Sequence, residues 1–295
     1  MPITCEFDYH KPKTMSEALR LLSKDKGSCV LAGGTDLLVW MKEGLRAPKT
    51  VVDVKGIPGL GGLELSTGAL RVGACMTFSE LIESTVVRNK FPMLWECSRT
   101  VASVGVRNRA TLVGNICSAV PSLDSAPALL VYDAVVEVRG PKATRKVPIA
   151  KWFTGVKRTA LKPGELVTAV TLPLIKKKAG ACYVKLGRYQ GEDLAQVGVG
   201  ILALAGNEYR VAFCAVGPVP TRAKRIEALL AGKELDDALI DQAKELVPQE
   251  ISPITDIRSS KEYRLHMAQV MLARGLKAAR ARLAGEAPAT GENLV

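Results

Sequence analysis

Short apolar runs alternate with amphipathic segments along the first 90 residues or so. Thr14 and Glu17 have the spacing of a helix capping box, and apolar residues follow them at helical intervals until Gly27. Apolar runs at 28–32, 50–54 and 69–73 then predict strands, and amphipathic segments at 36–41 and 77–84 predict short helices. This alternation predicts α/β layering in the first part of the chain.

Between residues 101 and 138 the pattern loses this regularity. Small and polar residues surround short apolar pieces, which is typical of a loop-rich region on a scaffold, where ligand sites concentrate. Within it, the run Leu129–Val138 predicts a strand, and a second strand is predicted at 166–172, between Pro163-Gly164 and Pro173.

The lysine-rich stretch 175–180 is the strongest boundary signal. After it the pattern predicts two strands, at 196–205 and 211–216, and then three helices, at 221–231, 236–246 and 259–283. We therefore predict a first domain at 1–175, with subdomains at about 1–60 and 61–175, and a second at 176–285. A flexible tail at 286–295 completes the prediction.

The last predicted helix has one apolar face and many cations. The apolar face is formed by Leu265, Leu272, Leu276, Ala279 and Leu283. Seven Lys or Arg residues against two acidic ones fall between Asp256 and Arg282. Either a solvated basic surface or a docking surface would account for this excess.

Composition narrows the class of protein. Hydrophobic residues make up 47% and charged residues 24% of the 295 residues, which is typical of a globular chain and excludes disorder as a general description. The net charge of +12 favours an acidic partner: nucleic acid, a phosphate-bearing ligand or an acidic protein face. Aromatic residues are only 5%, which leaves few stacking platforms and argues against nucleic acid.

Cysteine and histidine usage argues against metal and triad chemistry. The seven cysteines are scattered without paired spacing, as expected of reduced thiols that pack as small hydrophobic residues. The two histidines, His10 and His266, have no ligand-spaced neighbours, so no metal ligand and no catalytic residue is predicted. The N-terminus lacks a secretory pattern and no apolar run reaches about 18 residues, so a cytoplasmic protein without a membrane span is expected.

The segment LAGGTDLL, at residues 31–38, follows a predicted strand and precedes a predicted helix. Its two glycines let the backbone approach a ligand closely, and the amides at the helix start can bind phosphate oxygens. It matches neither the Rossmann nor the P-loop glycine pattern. From the residues alone, it is either a tight turn or a pyrophosphate cradle.

A second small-residue loop, ATLVGN at residues 110–115, is followed by Pro121 and Asp124. An ionised aspartate accepts hydrogen bonds, which suits ribose or ribityl hydroxyls. The alternative for Asp124 is a helix cap.

A third segment, YVKLGR at residues 183–188, is followed by DLAQV. On a strand, Tyr183 and Lys185 share one face, and a cation there could stabilise a developing anion. The alternative for Lys185 is a surface lysine that buries only its aliphatic stem.

Together with DIRSSKEYRLHMAQVML at 256–272, these motifs resemble the FAD-binding medium subunit of molybdenum hydroxylases, the xanthine dehydrogenase and carbon monoxide dehydrogenase family. They occur in the family's order over residues 5 to 283. Most members have T-I-G-G-N where this chain has Thr111 to Asn115, so Val113 replaces a glycine. The four extra cysteines of 4-hydroxybenzoyl-CoA reductase-like members are missing from this sequence, which makes that branch unexpected.

The resemblance implies an α+β fold: two α/β FAD-binding subdomains of the vanillyl-alcohol oxidase type, then a small antiparallel sheet with helices. Residues 32–36 and 111–115 would hold the pyrophosphate, Asp124 the sugar-like chain and Lys185 the polar edge of the isoalloxazine, against which Leu166 or Val167 would pack. The full set of implied cofactor-binding residues is Leu31, Ala32, Gly33, Gly34, Thr35, Asp36, Leu37, Thr111, Leu112, Val113, Gly114, Asn115, Ser118, Asp124, Leu166, Val167 and Lys185.

The resemblance also implies a function and partners. The chain would carry FAD and transfer electrons from a [2Fe–2S] small subunit to NAD⁺, a quinone or O₂, beside a molybdopterin large subunit, in a dimer of heterotrimers. A xanthine dehydrogenase-like complex is favoured over a carbon monoxide dehydrogenase-like or other hydroxylating complex. The rivals are a stand-alone flavin oxidoreductase and a basic scaffold that binds nucleic acid or a protein face.

Overall fold

The computed structural model describes residues 2–189 and 192–291. The first elements are β1 (Asp8–His10), α1 (Met15–Lys24), β2 (Cys29–Leu31), α2 (Leu37–Lys42) and β3 (Thr50–Asp53). The three strands form a parallel sheet with β3 in the middle. Thr14 caps α1 by accepting a hydrogen bond from the Glu17 amide at 3.2 Å, which confirms the helix start predicted from the capping-box spacing.

A five-stranded antiparallel sheet and short helices occupy residues 63–173. The elements are β4 (Leu63–Leu65), β5 (Ala69–Gly73), α3 (Phe78–Glu83), α4 (Thr85–Lys90), α5 (Pro92–Arg99), α6 (Val104–Arg107), α7 (Leu112–Ser118), α8 (Ser125–Val131), β6 (Val135–Arg139), β7 (Thr144–Pro148), β8 (Phe153–Gly155), β9 (Arg158–Thr159) and β10 (Leu166–Pro173). The strand order is β4-β5-β10-β6-β7, and β8 and β9 form a separate hairpin. A 3₁₀ turn, Ile149–Lys151, precedes the hairpin.

The region predicted as loop-rich contains three of these helices, α6, α7 and α8. The strand predicted at 129–138 is wrong in its first half, because Leu129–Val131 end α8 and the strand begins at Val135. Every residue of α8 is buried, so the run carries no helical alternation of apolar and polar positions. Such a run cannot be assigned to helix or strand from periodicity.

The remaining elements are β11 (Ala179–Leu186), β12 (Val197–Leu204), β13 (Glu208–Cys214), β14 (Thr221–Arg222), α9 (Lys224–Leu230), α10 (Asp237–Glu250) and α11 (Lys261–Ala284). The strands form an antiparallel sheet in chain order. One face of this sheet packs through Ala181 and Tyr183 on the hydrophobic core formed by the preceding elements. The other face packs through Cys182 and Val184 on helices α9, α10 and α11. Burial on both faces explains the uninterrupted apolar sequence of β12.

Helix α11 packs along this sheet, and two arginines lie on its buried side. Gly275 permits the close approach, because a Cβ there would lie 2.4 Å from Ile201 Cδ1. The predicted apolar face is confirmed: Leu272, Leu276 and Ala279 are buried against the sheet, and Leu265 and Leu283 are partly buried and pack on the same core. Arg264 and Arg282 are buried as well, which the pattern did not predict. Hydrophobic spacing could not identify these arginines, since their burial depends on carboxylate partners elsewhere in the chain.

The end of the chain returns toward α5. The amide of Gly291 donates to Glu96 Oε1 at 2.9 Å. The flexible tail predicted at 286–295 falls partly on 292–295, which lie outside the described residues. Of the helices within 2–189 and 192–291, each is too short or too polar to cross a lipid bilayer.

Candidate functional site

A cleft of about 1000 Å³ opens between the first sheet, helices α6 and α7 and the β8–β9 hairpin. Typical small-molecule sites span about 300–1000 Å³, so this volume suits a large ligand such as a dinucleotide. Of the predicted cofactor-binding residues, all but three line it; the exceptions are Leu31, Leu112 and Lys185. The structure thus brings together the two glycine-bearing loops, Asp124 and the start of β10.

The first loop presents a row of unpaired amides. Within residues 2–189 and 192–291, no hydrogen-bond acceptor is in reach of the main-chain N–H groups of residues 33–37. Gly34 adopts φ +79°, a left-handed conformation that favours glycine and lets successive N–H groups converge. A concave row of free N–H donors fits the oxygens of a diphosphate.

Gly33 serves a purpose that differs from the one its motif suggests. A Cβ at this position would lie 2.0 Å from the carbonyl oxygen of Arg109 and 2.9 Å from Ala110 Cα. The space is therefore filled by the chain itself and not reserved for a ligand. Gly33 lets the first loop pack directly against the start of the second, so that both face the cleft.

The second loop is held by its own side chains. Thr111 caps α7 by accepting a hydrogen bond from the Gly114 amide at 2.9 Å. Val113, which replaces the family's glycine, is 4% exposed, and its own N–H has no acceptor among the described residues. Ser118 Oγ donates to Asp36 Oδ2, which ties α7 to the first loop. The Thr111 hydroxyl oxygen is consequently engaged in capping, and the Val113 amide is a donor of this loop without an acceptor in the described part of the chain.

Asp124 and Lys185 form a buried ion pair at the wall of the cleft. Lys185 Nζ lies 2.9 Å from Asp124 Oδ2 and donates to the Thr100 carbonyl at 2.8 Å. Tyr183 Oη donates to Asp124 Oδ1 at 2.7 Å. The surface-lysine alternative is wrong, because Lys185 is only 4% exposed. The helix-cap alternative also fails, since the Asp124 side chain makes no capping hydrogen bond to α8.

The environment of this cluster opposes charge. Burial raises the pKa of Asp124, while the Lys185 ammonium and the Tyr183 hydroxyl oppose that rise. Burial also raises the pKa of Tyr183 well above its usual value, so its hydroxyl keeps its proton and remains a donor. Each oxygen of Asp124 accepts one of these hydrogen bonds and has the capacity to accept a second. Lys185 lies behind Asp124 and does not contribute to the cleft wall.

Sequence reasoning missed a set of cations around the cleft. They are Lys26, Arg46, Lys157, Arg158, Lys162, Arg188 and Arg258. Two of them face an aromatic ring in the wall: Lys157 Nζ lies 5.2 Å and the Arg46 guanidinium 6.0 Å from the Trp40 ring centroid. Arg188 and Arg258 fall within motifs singled out in the sequence, but the other five come from segments without a motif. The one sequence signal for those five was the overall excess of positive charge.

Apolar residues line another part of the wall. They are Val101, Ala102, Val106, Leu123, Leu166 and Val167, with the exposed side chains of Tyr189 and Leu194 at the rim. Neither histidine lines the cleft, and the described residues hold no cluster of His, Cys, Asp or Glu suited to a metal ion. An apolar wall beside a row of amide donors fits a ligand with a flat ring and a diphosphate, which are the parts of FAD.

Family models match most of the chain. Residues 5–175 match the FAD binding domain in molybdopterin dehydrogenase. Residues 181–279 match the C-terminal domain of the CO dehydrogenase flavoprotein.

Individual relatives match over nearly their whole length. The chain is 32% identical over 284 residues to a putative xanthine dehydrogenase FAD-binding subunit of Escherichia coli, covering 94% of this chain and 97% of the relative. It is 32% identical over 280 residues to the carbon monoxide dehydrogenase medium chain of Afipia carboxidovorans, with the same coverage. A solved carbon monoxide dehydrogenase from Hydrogenophaga pseudoflava matches with a TM-score of 0.90 and 32% identity, over 94% of this chain and 98% of that one. The chain therefore belongs to the family of FAD-binding medium subunits of xanthine and carbon monoxide dehydrogenase-type molybdenum hydroxylases.

Proposed function

We propose that this chain is the electron-transfer flavoprotein subunit of a xanthine dehydrogenase-like complex. It would take electrons from a [2Fe–2S] subunit and pass them to NAD⁺, a quinone or O₂. The observation that carries the proposal is the cleft itself. Free amides at residues 33–37 line one part of its wall, and an apolar surface suited to a flavin ring lines another. The hydroxylated substrate would react on another subunit.

In this proposal the residues of the chain bind and orient the cofactor. Bound FAD would supply the redox chemistry, since flavin reactions belong largely to the cofactor. The amides of residues 33–37 and of Val113 would donate to the diphosphate, and Asp124 would accept from the ribityl chain. Leu166 and Val167 would pack on the ring system. Lys185 would act from behind Asp124 by holding its carboxylate in place.

The partners follow from the kind of subunit. The names of the relatives, FAD-binding subunit and medium chain, support a complex with a [2Fe–2S] small subunit and a molybdopterin large subunit, which we propose forms a dimer of heterotrimers. The proposal includes FAD-binding residues 1–175, a second domain at 176–285 and a cytoplasmic location. The seven cysteines, all free thiols, support a reducing compartment.

The similarity to carbon monoxide dehydrogenase medium chains favours one alternative. Because that relative is as similar to this chain as the xanthine dehydrogenase subunit is, a carbon monoxide dehydrogenase-like or other hydroxylating complex is the second candidate. Both candidates make the same prediction for the isolated chain and differ in the substrate of the large subunit.

Purification of the full chain with its natural partners tests the proposal. We expect a yellow preparation with one FAD per chain that also contains an iron–sulfur subunit and a molybdenum subunit. Reducing the iron–sulfur subunit should bleach the flavin absorbance. A folded chain that binds FAD but purifies without these partners would instead support a stand-alone flavin oxidoreductase. A folded chain without FAD that is retained on DNA in a salt-dependent way would support the scaffold alternative.

A further inference from the structure

Lys55, a residue outside the predicted site, holds a carbonyl group of the first glycine loop. Its Nζ donates to the Ala32 carbonyl oxygen at 3.1 Å, across 23 positions of sequence. The same Nζ lies 2.8 Å from Asp53 Oδ1. Lys55 is not among the residues that line the cleft.

Asp53 fixes the position of this lysine. It ends β3, is 3% exposed and accepts two further hydrogen bonds, from Tyr9 Oη at 2.6 Å and from the Lys55 amide at 3.0 Å. Burial acts to raise the pKa of Asp53, but the hydrogen bonds from Lys55 and Tyr9 outweigh it and hold the pKa below its usual value. The carboxylate is therefore ionised at neutral pH, and Lys55 has a fixed anionic partner.

The geometry of the peptide bond converts this contact into an effect on the cleft. In a planar trans peptide, the C=O of one residue and the N–H of the next point in opposite directions. A carbonyl of Ala32 directed at Lys55 therefore directs the Gly33 N–H away from Lys55. Ala32 and Gly33 both line the cleft, and the Gly33 N–H has no acceptor within the described part of the chain.

This peptide needs such a constraint. Glycine populates a wide range of backbone conformations, so a peptide plane beside Gly33 can rotate more easily than one between residues with side chains. Gly34, the next residue, is also a glycine, at φ +79°. Without a partner for the Ala32 carbonyl, the ligand would have to fix the orientation of the Gly33 N–H itself, which lowers affinity.

We propose that Lys55 is a positioning residue for the cofactor's diphosphate: it holds the Ala32 carbonyl and thereby aims the Gly33 N–H into the cleft. The inference rests on the proposed binding of FAD. Lys55 therefore affects the binding affinity of ligands that carry a diphosphate and does not affect that of ligands that lack one.

Calorimetric titration of the flavin-free full chain tests this selectivity with three ligands: FAD, ADP and riboflavin. Lys55→Met should weaken FAD and ADP binding together, by roughly tenfold, because the ligand must then fix the orientation of the Gly33 N–H itself. Riboflavin, which has no phosphate, should bind as it does to the wild type. Lys55→Arg keeps a donor for both Asp53 and Ala32 and should restore most of the affinity. Lys42→Met, at an exposed lysine outside the cleft wall, is the matched control and should change nothing.

Several outcomes overturn the inference. One is Lys55→Met with wild-type affinity for FAD and ADP; another is an equal loss for riboflavin, which would indicate a general disturbance of the fold. If Lys55→Met does not fold, Tyr9→Phe provides a second test, because it removes one of the hydrogen bonds that hold Asp53, the partner of Lys55. Tyr9→Phe should give a smaller loss of affinity with the same ligand selectivity. Unchanged affinities would again overturn the proposed role of Lys55. A wild-type chain that binds neither FAD nor ADP would refute the proposed function, and the role of Lys55 with it.

Discussion

Replacing Lys185 with methionine tests the contribution of the buried ion pair at the cleft. The variant loses the ammonium 2.9 Å from Asp124 Oδ2 but keeps a side chain of similar length. The two side chains are 6% and 9% exposed, so the carboxylate that remains is largely shielded from water. Removing one member of a buried pair costs about 3–5 kcal/mol, because the remaining charge is uncompensated. We expect the free energy of unfolding to fall by about that amount near neutral pH.

The pH dependence identifies the charge responsible. Burial already raises the pKa of Asp124, and loss of Lys185 should raise it further. A group whose pKa is higher in the folded state than in the unfolded state favours folding at low pH, and this stability is lost as the pH rises through the folded-state pKa. The deficit of Lys185→Met relative to the wild type should therefore be small in mild acid and grow toward alkaline pH.

Urea unfolding of the flavin-free chain, followed by tryptophan fluorescence at several pH values, measures this deficit. The double variant Asp124→Asn with Lys185→Met removes the uncompensated charge and should recover part of the stability. Lys177→Met is the matched control: its pair with Glu208 is exposed, and its loss should cost less than about 1 kcal/mol. A deficit that is equal at every pH, or a double variant as unstable as the single one, would show that the uncompensated charge of Asp124 is not the cause of the loss.

Two further variants test the packing of the loops and the contact between α5 and α11. Gly33→Ala places a Cβ 2.0 Å from the Arg109 carbonyl oxygen. Thermal melting should show a loss of about 1–3 kcal/mol in stability, and titration should show weaker FAD binding. Gly68→Ala is the control, because the space around Gly68 is open, and it should change neither quantity. Arg282→Met leaves the buried Glu96 without its partner at 2.8 Å and should cost about 3–5 kcal/mol in urea unfolding. A loss no larger than that of an exposed pair, under about 1 kcal/mol, would show that Glu96 does not depend on Arg282.

Local signals in the sequence predicted the elements whose determinants are also local. The start of α1 follows from Thr14 and Glu17, and β5 lies at the predicted residues 69–73 because polar and glycine residues bound its apolar run. The glycine loop at 31–38 was predicted as either a turn or a cradle, and the structure gives a turn whose amides face a cleft. Motif order carried the family assignment.

Features that depend on distant parts of the chain could not be predicted in this way. Lys185 pairs with Asp124 across 61 positions, and Lys55 reaches Ala32 through a strand pairing that the sequence does not display. The role of Gly33 was misread for the same reason, since the atoms that require a glycine belong to Arg109. The last three residues of α8, Leu129–Val131, were misread as the start of a strand because a fully buried segment lacks the alternation on which such predictions depend.

A crystal structure of the full chain grown with FAD would show whether the first glycine loop binds the diphosphate. We expect diphosphate oxygens within about 3 Å of main-chain nitrogens of residues 33–37, with the flavin ring against Leu166 or Val167. FAD bound with its diphosphate elsewhere, while the amides of residues 33–37 remain hydrated, would contradict it.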